Sequence, residues 1–251
     1  MLTDLVGRVE NRSVLQKPAG GVSRPEATGS SFMEYAGGRR GVRRFGLTVW
    51  LGACLVAAGG RAAAEDEAGF EPLFDGRSLA GWQANENPAS WQVRDGAVVC
   101  RGPRSHLFYV GPDAAKPAEF KNFHLKAEVM TRPKANSGLY IHTRMQPDGW
   151  PTHGHEVQVN NSQGDPVRTG SLYNVVKNFT PPAADDAWFT LEVAVVGRAV
   201  TVKVDGRVLY EYVEPEGVTS TRRLSAGTFA LQAHDPGSEV HYRNIRVKRL
   251  P

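Results

Sequence analysis

Three short stretches carry side chains whose types and spacing could do chemistry. Glu156, Gln158 and Asn160 stand two apart in Glu156-Val157-Gln158-Val159-Asn160. Tyr140, His142 and Arg144 stand two apart in Leu139-Tyr140-Ile141-His142-Thr143-Arg144, and Gln232 and His234 alternate with Phe229, Leu231 and Ala233. In an extended strand, residues two apart share a face, so each stretch turns an apolar row one way and a row of directional donors and acceptors the other. A carboxylate and imidazoles of this kind can act as general acid or base, and an arginine can hold a developing oxyanion. If the three strands are neighbours, they line a polar groove suited to a sugar. Any one of these rows taken alone is what a solvated strand face shows, and the sequence does not reveal adjacency. Trp150, in Asp148-Gly149-Trp150-Pro151 between two of the stretches, is placed either to stack on a sugar ring or to cover an edge.

The elements that must hold these side chains are strands. Phe123, Leu125, Ala127 and Val129 alternate with polar residues, as do Phe189, Leu191, Val193 and Val195. Asp95-Gly96 separates Trp91–Arg94 from Ala97–Val99, and Asp205-Gly206 separates the Val200, Val202, Val204 run from Val208, Tyr210 and Tyr212. Asp-Gly between alternating apolar runs is the signature of a two-residue hairpin. After residue 64 no window repeats every 3.6 residues over twelve positions, so the chain reads as an all-β antiparallel sandwich. Neither a repeat nor a linker divides residues 65–251, which are expected to form one domain. Trp91 and Trp188 open alternating runs and are expected in the core.

Other reactive residues point elsewhere or nowhere. His153-Gly154-His155-Glu156 contains metal-ligating types, but Gly154 makes a flexible strand entry and His155 should point away from Glu156, so no metal or other cofactor is assigned. Cys100 follows Val98-Val99 and reads as a buried, inert thiol. Gly138 in Asn136-Ser137-Gly138 reads as a turn residue with positive φ, and Arg243-Asn244 as a bulge in the last strand. No phosphate loop, dinucleotide fingerprint, Gly-x-Ser-x-Gly or His-Glu-x-x-His is present.

The 251 residues include 30 Lys+Arg and 26 Asp+Glu. Residues 1–64 carry nine of the former and four of the latter, leaving 21 against 22 for the rest. The basic balance thus belongs to the N-terminal stretch, and the remainder gives no reason to expect nucleic acid. Within that stretch Arg39, Arg40, Arg43 and Arg44 precede an apolar run from Phe45 to Ala58, and Ala62-Ala63-Ala64 follows. This is the order of a secretory signal peptide, with Met33 as the expected start and cleavage after Ala64. The run is short of the roughly 20 residues that span a bilayer. The mature chain is therefore expected to be exported, periplasmic or extracellular, without a membrane span. Leu51-Gly52-Ala53-Cys54 leaves a lipoprotein as a minor alternative. Once the leader is removed, Cys100 is the sole thiol and no intramolecular disulfide can form.

Phe70-Glu71-Pro72-Leu73-Phe74-Asp75-Gly76-Arg77-Ser78-Leu79-Ala80-Gly81-Trp82 resembles the opening motif of the 3-keto-disaccharide hydrolase family, formerly a domain of unknown function. Asn136-Ser137-Gly138, the Glu156–Asn160 strand, Thr169-Gly170-Ser171-Leu172-Tyr173 and Tyr242-Arg243-Asn244-Ile245 continue the likeness in order, from about Phe70 to Leu250. The resemblance implies a concanavalin A-like jelly-roll sandwich of two antiparallel sheets. It also implies hydrolysis of glycosides already oxidised at C3, and hence dependence on a separate sugar 3-dehydrogenase. Two departures stand out: His142 and Asn160 occupy positions where the family often has Arg and Asp. The first leaves Arg144 as the substitute anion-binding residue, and the second leaves Glu156 as the only carboxylate of its row. That weakens a paired-carboxylate scheme.

A C3 ketone acidifies the proton on C2, so the glycosidic bond can leave by elimination and water can then add to the enone. Glu156 or His234 is the expected base, with Arg144 and His142 stabilising the enolate. Gln158, Asn160, Tyr140, Tyr173, Gln232, Trp150 and Asn136 are expected to position the sugar. A non-catalytic carbohydrate-binding module and a conventional glycoside hydrolase are the competing readings.

Overall fold

The computed structural model describes residues 67–251, apart from 114 and 115. The expected leader, with Met33, Cys54 and the cleavage site after Ala64, lies outside the described residues. In chain order the strands are β1 (Glu71–Pro72), β2 (Trp82–Ala84), β3 (Trp91–Arg94), β4 (Ala97–Arg101), β5 (Ser105–Tyr109), β6 (Phe123–Thr131) and β7 (Ser137–Thr143). They continue with β8 (His155–Val159), β9 (Phe189–Val196), β10 (Ala199–Val204), β11 (Arg207–Val213), β12 (Thr228–Ala233) and β13 (Glu239–Arg249). One 3-10 turn, Pro88–Ser90, is the only helical element among the described residues, and no helix there is long and apolar enough to cross a membrane.

The strands form two antiparallel sheets in the expected jelly-roll sandwich. The larger runs β11-β10-β9-β6-β13-β4-β3, with β1 also paired to β13, and the smaller runs β2-β5-β12-β7-β8. Both Asp-Gly hairpins form where the sequence places them. Asp95 and Gly96 have φ of 52° and 74°, and Asp205 and Gly206 have 49° and 74°. Two successive left-handed residues match the twist of the strands they join.

The core lies between the sheets. Phe123, Leu125, Val129, Leu191, Val193, Val240 and Val247 from the larger sheet meet Leu107, Leu139, Ile141, Val157, Phe229 and Leu231 from the smaller. Each such side chain stabilises the fold by about 1.5–3 kcal/mol on burial. Polar ties also cross this interface: the Ser137 hydroxyl donates to the Gln232 carbonyl and lies 2.7 Å from the Tyr242 hydroxyl. Cys100 packs beside Ser137, and burial pushes its thiol up to about 12, which leaves it inert as expected. Trp91 is buried with its indole N–H on the Ser105 hydroxyl at 2.8 Å. Trp188 departs from expectation. It is only half-buried, lies 4.0 Å beneath the Arg243 guanidinium and meets the edge of His241.

Besides a register shift between β10 and β11 at Val202 and Lys203, two bulges interrupt the ladders of the described residues. One is the expected bulge in β13 between Arg243 and Arg246, where Asn244 has φ of 50° and donates its amide to Glu128 at 2.9 Å. The other lies in β7, where Tyr140 pairs with Ala230 but Thr143 pairs with Thr228. Three steps on β7 oppose two on β12, and His142 at φ of 52° absorbs the extra residue.

Candidate functional site

β12, β7 and β8 are consecutive in the smaller sheet, so the three polar rows do share one surface. It faces away from the core and forms the floor of a cavity of about 420 Å³, within the usual size of small-molecule sites. Asn136, Tyr140, Trp150, Glu156, Gln158, Tyr173, Gln232 and His234 all line it, together with His155, Asp165, Asn174, Val175 and Arg222.

Glu156 sits at the centre of the floor. The Tyr140 hydroxyl donates to one carboxylate oxygen at 2.9 Å and the Gln232 amide donates to the other at 2.9 Å. The same Gln232 amide reaches the Tyr140 hydroxyl at 3.1 Å. Glu156 is 8% exposed, and burial raises its pKa against the opposing pull of those two donors and of the Arg222 and His234 charges. Gly138 makes the space. It pairs with Gln158 in the β7–β8 ladder, and a β-carbon there would come within 2.9 Å of Glu156 Cγ and Cδ and closer still to Oε1. Gly138 lies inside the strand without a positive φ, so the turn role read from the sequence is replaced by one of clearance.

A second line of contacts reaches His234. Gln158 donates to the Asn136 side-chain oxygen at 3.0 Å, and the Asn136 backbone N–H donates to Ser238 Oγ at 2.9 Å. Ser238 Oγ donates to Asp235 at 2.9 Å, whose Oδ2 lies 2.8 Å from His234 Nδ1. With the proton on Nδ1, held by that carboxylate, Nε2 is left as the exchanging nitrogen. Trp150 lies over this end, its ring 5.4 Å from that of His234. The Trp150 loop is fastened from behind: the Gly149 N–H donates to Glu86 at 3.2 Å, and Glu86 pairs with Arg104 at 2.9 Å.

Three expected site residues fall outside the cavity. His142 is turned toward the core by the β7 bulge, edge-on to Phe123 at 5.4 Å. Its Nε2–H donates to the Lys121 carbonyl at 2.9 Å and its Nδ1 accepts from the Ser225 N–H at 3.1 Å, an arrangement that fixes the neutral ring. Burial lowers its pKa in the same sense. A fixed neutral imidazole on that side cannot steady an enolate in the cavity. Arg144 lies beyond the end of β7 and is exposed outside the lining. Asn160 is fully buried and clamps the 163–168 loop, donating to the Asp165 and Val167 carbonyls and accepting from Gln163 N–H and Arg168. It reaches no open surface.

The cation that does line the cavity is Arg222, which the sequence reading missed. It sits in an irregular connection between β11 and β12, where no periodicity signals a direction. That connection is tied to the start of β8. The Gly154 N–H donates to the Thr221 carbonyl at 3.1 Å, and the His155 ring meets Glu214 at 3.0 Å, while Glu214 accepts from the Leu224 N–H at 3.0 Å. His142 adds its bond to Ser225. His142 and His155 therefore hold the Arg222 segment in place. Among the described residues, no three His, Cys, Asp or Glu side chains are gathered as metal ligands.

A sequence model described as the 3-keto-alpha-glucoside-1,2-lyase-like domain matches residues 69–248. No curated protein matches the chain. Among solved structures, a candidate glycosyl hydrolase from Parabacteroides distasonis ATCC 8503 superposes with a TM-score of 0.61 at 22% identity, over 78% of this chain and 99% of that one. A second candidate glycosyl hydrolase from the same organism superposes with a TM-score of 0.55 at 19% identity, over 72% of this chain and 99% of the other. At these identities the likeness is one of fold.

Proposed function

The chain belongs to the 3-keto-alpha-glucoside-1,2-lyase-like family, and from that premise we propose that it is an exported hydrolase of 3-keto-glycosides, such as 3-keto-disaccharides, working by elimination across C1–C2 and rehydration. The observation that carries this reading is the buried Glu156 carboxylate, its pKa raised, on the floor of a cavity that it shares with His234 and Arg222.

The sugar ring lies over the floor, placed by Gln158, Asn136, Tyr173 and the Tyr140–Gln232 pair, with the aglycone toward Trp150. Glu156 takes the proton from C2, which the adjacent ketone has acidified. Its raised pKa brings the carboxylate closer to the strength such a base needs. Charge develops on the C3 oxygen, where the Arg222 guanidinium stabilises it. The C1–O bond then breaks, and protonated His234, steadied by Asp235, gives its proton to the departing oxygen. The product of this step is the C1–C2 enone. His234, now neutral, deprotonates a water that adds at C1, and Glu156 returns its proton to C2. The sum is hydrolysis, with no oxidant or reductant consumed. The C3 ketone must come from a separate sugar-oxidising enzyme.

Residues 65–251 incubated with plain disaccharides and with the same disaccharides oxidised at C3 test the reading. Release of free sugar from the oxidised set alone is the expected result. Release from the plain set would replace it with conventional glycosidase chemistry. Binding without cleavage of either set would replace it with a carbohydrate-binding module.

A further inference from the structure

His106 stands directly opposite Gln232 in the β5–β12 ladder, on the cavity side of the smaller sheet. It is fully buried: its ring meets Tyr140 and Trp150 edge-on, each at 5.4 Å, and Phe108 at 6.3 Å. Neither ring nitrogen has a hydrogen-bond partner among the described residues, and neither does the side-chain oxygen of Gln232. Buried polar groups without partners are rare, because each has given up its hydration for nothing, and here two face each other across one ladder step. Burial lowers the His106 pKa to about 3, so the ring is neutral, with one N–H donor and one bare nitrogen.

The amide oxygen of Gln232 can only accept, and the imidazole can donate. A group that does both at one atom satisfies the pair, and a hydroxyl is such a group. We propose that His106 and the Gln232 side-chain oxygen form a hydroxyl-binding position at the edge of the cavity floor under Trp150, and that His106 selects sugars carrying a hydroxyl there. This rests on the reading of the cavity as a sugar site. It adds a subsite on β5, a strand that contributes no side chain to the cavity lining. Trp150 covers the position, so a sugar reaches it by displacing the indole from the imidazole.

Nitrogen-15 spectra of the histidine rings in the full chain read the position directly, with the His106 signals identified by their absence in His106→Phe. Methyl glucoside and methyl 3-keto-glucoside are the titrants. The expected result is a saturable shift of the His106 signals with at least one of them. Among monodeoxy analogues, one should bind wild type about tenfold more weakly and lose that penalty in His106→Phe. His106→Phe should raise KM while leaving kcat nearly unchanged. His106 signals that ignore both sugars at saturating concentration would overturn the proposal and leave a resident water as the partner. A shift without cleavage of the keto-sugar would keep the hydroxyl position and remove the hydrolase reading.

Discussion

Gly138 and Glu156 lie on adjacent strands, and the side chain of Glu156 fills the space that a β-carbon on residue 138 would occupy. The missing methyl on β7 is what allows the carboxylate on β8 to lie flat on the floor beneath Tyr140 and Gln232.

Gly138→Ala should therefore act on Glu156 without straining the backbone, since residue 138 has no positive φ. Forcing the carboxylate aside costs about 1–3 kcal/mol in an already packed site. The hydrogen bonds to Tyr140 and Gln232 are lost at the same time. We expect kcat on a 3-keto-disaccharide to fall by at least about 100-fold, the scale set by misplacing a reacting group, with a melting temperature lowered by only a few degrees. Unchanged kcat would mean that the position of Glu156 is immaterial.

Glu156→Gln keeps the shape and removes the charge. Turnover should vanish while sugar binding persists, measured by calorimetry against the keto-sugar. The same variant has a stability signature. Burial raises the Glu156 pKa in the folded protein, so the native state keeps this proton to higher pH than the unfolded chain does. The stability linked to that proton is complete below the unfolded pKa and is lost as pH rises through the folded pKa. The variant lacks this loss. Its melting temperature relative to wild type should accordingly increase as pH rises from below the ordinary glutamate range through the raised folded pKa. A difference constant across that range would place Glu156 in solvent.

Arg222 and Arg144 separate the arrangement in the structure from the one expected from sequence alone. Removing an oxyanion-stabilising group costs about 100- to 1,000-fold in kcat. Arg222→Ala should show a loss of that order, and Arg144→Ala should be close to wild type. The reverse result would return the anion-binding role to the end of β7.

Asp235→Asn tests the support behind His234. The carboxylate holds Nδ1 at 2.8 Å and fixes the orientation of the ring. Replacing it should lower kcat by about 10- to 100-fold, as loss of a supporting partner does. An unchanged kcat would leave Asp235 a purely structural residue.

The sandwich was written in the sequence because its signals are local. Val200, Val202 and Val204 leading into Asp205-Gly206 define a hairpin through period-2 alternation and one turn, with no reference to the rest of the chain. The same rule placed Tyr140, Glu156, Gln158 and Gln232 correctly on the polar side of their strands. It failed at His142, where one extra residue in β7 reverses the side-chain direction. A bulge is set by the register of the partner strand, and β12 lies more than 80 residues further along the chain. Asn160 continues the polar row of Glu156 and Gln158, yet what it meets depends on where the 163–168 loop folds back. Arg222 had no periodic neighbours to give it a direction. Its place over the floor comes from His155, Glu214 and the Gly154 N–H, contacts between segments distant in sequence. Gly138 names itself as small in the sequence, but only the pairing of β7 with β8 shows what the absence of its side chain accommodates.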